Sequence, residues 1–191
     1  MEPRDRLTQH LRDLAGTAAA AADTLGPDIE KAAAMVAETV RRGGTLFFCG
    51  NGGSAADAQH LATEYVVRYQ RERRAIAAVA LTTDTSLLTA ASNDYSFEQV
   101  FSRQVEALGR PGDLLVLHTT SGKSPNLISA ARAARERGVA TLALSAKGGG
   151  PLAGMVDHCI VIPTDRTDRA QELQMAIQHA ICDLIDDETA R

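Results

Sequence analysis

The chain has 191 residues, 45% of them apolar and 23% charged, enough for one globular domain with a sizeable core. Its formal net charge is −4 and its isoelectric point is near 5.7, so it lacks the basic field that nucleic acids or anionic membranes recruit. No apolar run approaches the length of a membrane span, the first sixteen residues carry charges where a signal peptide is apolar, and three scattered cysteines, Cys49, Cys159 and Cys182, read as free thiols in a reducing cytoplasm.

In chain order, residues 4–22 and 27–42 carry apolar positions at helical spacing and are separated by Gly26-Pro27, which predicts an antiparallel helical pair, a helical arm over 1–43. Apolar runs then recur at 45–49, 75–81, 113–118, 140–145 and 158–162 and read as five strands. Helical periodicity fills the intervals near 54–69, 84–108 and 124–137, and a last helix spans 168–189. Such alternation implies a three-layer α/β domain with a mainly parallel sheet, here a single domain over 1–191. Ligands in such folds gather beyond the carboxyl ends of the strands, so the loops after strands hold the candidate functional residues.

After the first strand comes Gly50-Asn51-Gly52-Gly53-Ser54-Ala55-Ala56-Asp57, where glycines allow a tight turn and Ser54 with Asp57 suggests a capping box. After the third strand, Thr119-Thr120-Ser121-Gly122-Lys123-Ser124-Pro125 places four hydroxyls within six residues, with Ser124 as N-cap and Pro125 at the first helical position. Hydroxyls, amides and the positive end of a helix dipole together suit a phosphate dianion. An ordinary Ser-Pro helix start would look similar. His60 and Glu64 stand four residues apart on one helical face, a spacing shared by metal ligands and by surface pairs. In the last helix Gln171 and His179 are eight residues apart, about 80° around the axis, and His179 in its apolar setting also reads as a core histidine. Arg41-Arg42 and Arg71-Glu72-Arg73-Arg74 read as solvated helix ends.

Taken together, CGNGGSAADAQHLATE, LTTDTSLLTAASNDYSFEQVFSRQVEALG, TTSGKSPN and DRAQELQMAIQHAICDLID resemble the phosphoheptose isomerase family of sugar isomerase domains. The resemblance covers nearly the whole chain. It implies a flavodoxin-like five-stranded parallel sheet, a homotetramer assembled through the N-terminal helices, and conversion of sedoheptulose 7-phosphate into an aldoheptose 7-phosphate. It further implies that Asn51, Gly52, Gly53, Asn93 and Asp94 contact the sugar and that Thr119, Thr120, Ser121 and Ser124 hold the phosphate. His60, Glu64, Gln171 and His179 match the family's zinc site, one Zn²⁺ per active site. Aldose–ketose isomerisation moves a proton between adjacent carbons through an enediolate, for which Glu64 is expected as general base and His179 as acid, with Asp168 and Gln171 orienting partners. Two positions depart from the family pattern: Thr119 stands where serine is frequent, and Gln174 where histidine is. The same domain also resembles a replication-initiation regulator that binds its partner without catalysis. Glu64 and His179 favour the enzyme over that reading and over a sugar-phosphate sensor.

Overall fold

A computed structural model describes residues 2–190 and gives the order α1 Pro3–Thr24, α2 Gly26–Arg41, β1 Leu46–Gly50, α3 Gly53–Val66, β2 Ala78–Ala80, α4 Thr85–Asp94, a 3₁₀ turn Phe97–Gln99, α5 Ser102–Leu108, β3 Leu114–His118, α6 Pro125–Arg137, β4 Ala140–Ser145, α7 Gly150–Ala153, β5 His158–Val161 and α8 Thr167–Thr189. All five strands pair in parallel in the order β2-β1-β3-β4-β5, as the three-layer α/β reading requires. Strand alternation sorts the core into two layers. Leu46, Phe48, Leu114, Val116, Leu142, Leu144 and Ile160 pack with residues of α2, α3 and α8. Phe47, Cys49, Leu115, Leu117 and Ala143 pack on the other face with α4, α5 and α6.

The N-terminal helices are separated by Leu25 alone. The carbonyl of Asp28 in α2 meets Nε2 of His158 at the start of β5 (2.8 Å), whereas His10 and Asp13 of α1 contact Arg169 and Arg166 around the start of α8. The strand expected over 75–81 is confined to Ala78–Ala80: the Ala77 carbonyl still accepts from the Leu46 amide of β1, but the Ile76 amide turns to the carbonyl of Tyr65 in α3. The helix expected over 84–108 is three pieces. It opens with the Asp84 carboxylate accepting from the Leu87 amide (3.0 Å) and breaks at Tyr95-Ser96, where Ser96 is extended. The run Ser92-Asn93-Asp94-Tyr95-Ser96 concentrates side chains that compete for backbone hydrogen bonds and so favours an end there.

Candidate active site

β1 and β3 are neighbours in the sheet, and their connections leave to opposite faces, α3 into one layer and α6 into the other. This is the switch point where a crevice opens in doubly wound sheets. Asn51 and Asn126 bridge it, each amide nitrogen donating to the other's oxygen at 2.9 and 2.8 Å. Gly52 has φ 59° and ψ −122°, a conformation reserved for glycine, and is itself the N-cap of α3. The expected capping box is therefore absent: Ser54 lies inside the helix and is buried, and no side chain caps α3. Asp57 is left with a buried, unpartnered Oδ2, and burial raises its carboxyl pKa against the opposing pull of His60.

Beyond β3, Ser124 is the N-cap of α6 and Pro125 its first residue, as the sequence suggests, but the Ser124 hydroxyl makes no cap hydrogen bond and stays available to a ligand. Thr119 is buried; its hydroxyl accepts from the Gly122 amide at 3.1 Å, and its amide donates to the Leu144 carbonyl. Thr120 and Ser121 are half-buried, and Ser121 Oγ accepts from the Lys123 amide at 3.3 Å. Gly122 has φ +63°, and a Cβ there would meet the Gly149 carbonyl oxygen at 1.7 Å, so two backbones pass in contact. Gln174 is fully buried and donates to the carbonyls of Thr119 (2.6 Å) and Leu144 (2.9 Å), which pins the loop from below. The amide at this position, in place of histidine, thus supports the loop's backbone.

His60, Glu64 and His179 converge, with ligand atoms all within 4.8 Å of one another. His60 Nε2 lies 3.0 Å from His179 Nε2 and 3.2 Å from Glu64 Oε1. Two imidazole nitrogens face each other with a carboxylate beside them, and metal–nitrogen bonds of about 2.0–2.1 Å put tetrahedral neighbours roughly 3.3 Å apart. The donor set therefore suits one divalent cation. Tyr69 stacks on His179 (5.2 Å between centroids). Burial and then His60 depress the His179 pKa, against the pull of Glu64, so its ring is neutral and able to ligate at neutral pH.

The remaining sequence candidates are distributed around this centre. Gln171 stands two helical turns before His179 with its amide against Gly53, where a Cβ would come within 2.5 Å of Nε2. Asp168 in the first turn of α8 is gripped by Arg166 (2.6 Å); that hydrogen bond, more than its other surroundings, draws its pKa down to about 2. Asn93 and Asp94 are exposed at the end of α4 and bonded to each other (2.8 Å) rather than to the loops or the histidine cluster.

Two features escape sequence reasoning. Arg73, read as solvated, is 4% exposed and forms a buried ion pair with Asp186 (2.6 Å). Its guanidinium also donates to the carbonyls of Glu64 (2.6 Å) and Tyr65 (2.9 Å), capping α3. The partner lies 113 residues away, and nothing local in the sequence announces it. His118, the histidine nearest the hydroxyl loop, is sealed beneath it, stacked on Phe48 (6.2 Å) and bonded to Gln178 (3.4 Å), and does not face the crevice as a candidate acid. Burial lowers its pKa to about 4 from the ordinary 6.5. The unfolded chain takes up this proton as pH falls through 6.5 and the native state only near 4, so the unfolded state binds more protons in between. Stability is expected to fall by about 3 kcal/mol from pH 7 to pH 4 through this residue alone. Denaturant titrations of wild type and His118→Asn at both pH values should show the variant losing less stability by that amount.

The SIS domain family matches residues 9–146. A phosphoheptose isomerase from Roseiflexus sp. (strain RS-1) is 52% identical over 164 residues, covering 86% of this chain and 83% of that protein. One from Thiobacillus denitrificans is 46% identical over 189 residues, covering 97% and 96%. The structure of phosphoheptose isomerase from Neisseria gonorrhoeae superposes with a TM-score of 0.91 at 43% identity, covering 97% of this chain and all of that one.

Proposed function

The chain belongs to the phosphoheptose isomerase family of SIS-domain proteins, and on that premise we propose that it isomerises sedoheptulose 7-phosphate to D-glycero-D-manno-heptose 7-phosphate at the crevice between β1 and β3. The observation that carries the reading is the His60–Glu64–His179 cluster, an acid–base and metal-ligand set held on two helices beside a hydroxyl-lined loop. A regulator that only binds sugar phosphate has no use for it.

In this reading Thr119, Thr120, Ser121 and Ser124 hold the phosphate at the start of α6, where the helix dipole favours an anion. Asn51, Gly52 and Gly53 line the sugar end, with Asn93 and Asp94 as further contacts. Glu64 takes the proton from C1 of the ketose and returns one to C2. His179 supplies the proton that moves between O1 and O2 from the opposite side, and Asp168, kept ionised by Arg166, orients the substrate with Gln171. His60, Glu64, His179 and Gln171 would hold Zn²⁺, which would supply Lewis-acid stabilisation to the two substrate oxygens. A carboxylate has two oxygens, so Glu64 would have one to offer the metal and one to act as base.

Homotetramer formation is supported by α1, whose Leu7 and Leu11 are 71% and 67% exposed on a helix with little apolar burial of its own. Light scattering gives the mass directly. A cytoplasmic location is supported by the free cysteines, two of them buried; among the described residues no helix is long and apolar enough to cross a membrane. Incubating the zinc-replete protein with sedoheptulose 7-phosphate and following the anomeric signals by NMR tests the function: aldoheptose phosphate should accumulate to equilibrium. Binding of the ketose without any aldose would replace the enzyme by a sensor.

A further inference from the structure

Lys147 carries a backbone conformation that its own sequence makes unnecessary. Its φ is +51°, and it is the one described non-glycine residue in the left-handed region. The next three residues are glycines, and all three take positive φ (+75°, +81° and +57°), so the turn after β4 has residues suited to such angles and still places a lysine in one. Backbone strain of this kind persists where surroundings hold it and concentrates at binding sites.

The position explains what the lysine could serve. Its Nζ bonds Thr167 Oγ1 at 3.0 Å. Thr167 opens α8 and lies one turn before Gln171, on the same helix face, whose amide rests on Gly53. On the other flank the Gly149 carbonyl abuts Gly122 within the hydroxyl loop. The ammonium therefore stands exposed beside the first turn of α8, on a turn that abuts the Thr119–Ser124 loop through Gly149. Its partner is a neutral hydroxyl; the neighbouring carboxylate, Asp168, is taken up by Arg166 and Arg169. The hydroxyl loop itself offers neutral donors to a dianion.

We propose that Lys147 is a further substrate-binding residue, whose ammonium leaves Thr167 and pairs with the phosphate of the sugar phosphate held by the Thr119–Ser124 loop. The inference rests on the isomerase reading above. Steady-state kinetics with sedoheptulose 7-phosphate, and inhibition by inorganic phosphate, are to be measured on wild type, Lys147→Met, Lys147→Arg and Lys147→Gly. Loss of one charge-assisted contact should raise KM and the phosphate inhibition constant together by about tenfold in the Met and Gly variants, with kcat within about twofold and most of the loss recovered by arginine. The Gly variant should melt no lower than wild type, since it relieves the backbone; a lysine kept only for the turn would give that stability result with KM unchanged. A KM and phosphate inhibition constant unchanged in Lys147→Met, with wild type active, would overturn the proposal alone. Should wild type itself fail to turn over, the isomerase reading falls, and calorimetric titration of inorganic phosphate into wild type and Lys147→Met decides on Lys147 separately, equal affinities sinking it.

Discussion

Glu64→Gln is expected to lower turnover by at least about a thousandfold while the protein stays folded. The substitution keeps shape and a carbonyl oxygen but removes the carboxylate proposed as the proton acceptor. Glu64 is half-buried, and its backbone is held by Arg73 independently of its side chain, so the fold has little reason to respond. His60 and His179 keep their 3.0 Å approach, so bound zinc should weaken without vanishing. His179→Ala removes the proposed acid and a proposed imidazole ligand together, and there turnover and zinc content should fall in parallel. Measuring both quantities in both variants separates the two roles of the carboxylate. Zinc retained with turnover gone in Glu64→Gln identifies the base; turnover restored there by excess zinc would reduce Glu64 to a ligand.

The second large effect is expected away from the chemistry. Asp186→Asn should destabilise the protein by about 3–5 kcal/mol, because it leaves the Arg73 guanidinium buried without its counter-charge. Both side chains are sealed, 1% and 0% exposed. Burial alone would raise the Asp186 pKa, but the amides of Arg71 and Gln70 and the Arg73 guanidinium outweigh it and hold the carboxyl below its usual value. For a chain of this size the thermal midpoint should drop by roughly 10 °C, read by calorimetry. The same pair ties the end of α3, through the Glu64 carbonyl, to α8 two turns beyond His179. Zinc affinity should therefore weaken along with stability, whereas a remote core substitution such as Leu115→Ala should lower stability by about 2–5 kcal/mol with affinity kept.

Much of this architecture is legible in the sequence because a sheet buried on both faces writes itself as short apolar runs. The runs at 113–118 and 140–145 coincide with β3 and β4 almost to the residue. The β2 run misleads at its start, since Ile76 is apolar yet its amide bonds the Tyr65 carbonyl in α3, and periodicity does not distinguish a paired strand from an extended approach to one. The break at Tyr95-Ser96 is a local signal, and the apolar period on either side conceals it. At the site, strand-to-helix loops carry their own chemistry: glycines after β1 and hydroxyls after β3 stand where the fold puts ligands. The His60–Glu64 pair is readable from helix geometry, His179 joins it in the sequence only through the family resemblance, and the structure brings it there from 119 residues away. Arg73 shows the limit. In sequence it is one charge in a basic run, and only tertiary structure makes it the cap of α3.

The most direct test of the account is isomerisation in D₂O, with sedoheptulose 7-phosphate, zinc-replete wild type and Glu64→Gln followed side by side by ¹H NMR. Wild type is expected to form aldoheptose 7-phosphate carrying solvent deuterium at C2, the mark of a proton returned by an exchangeable base, and the variant to form none on the same timescale. Equal turnover by both proteins, or no aldose from wild type, would contradict it.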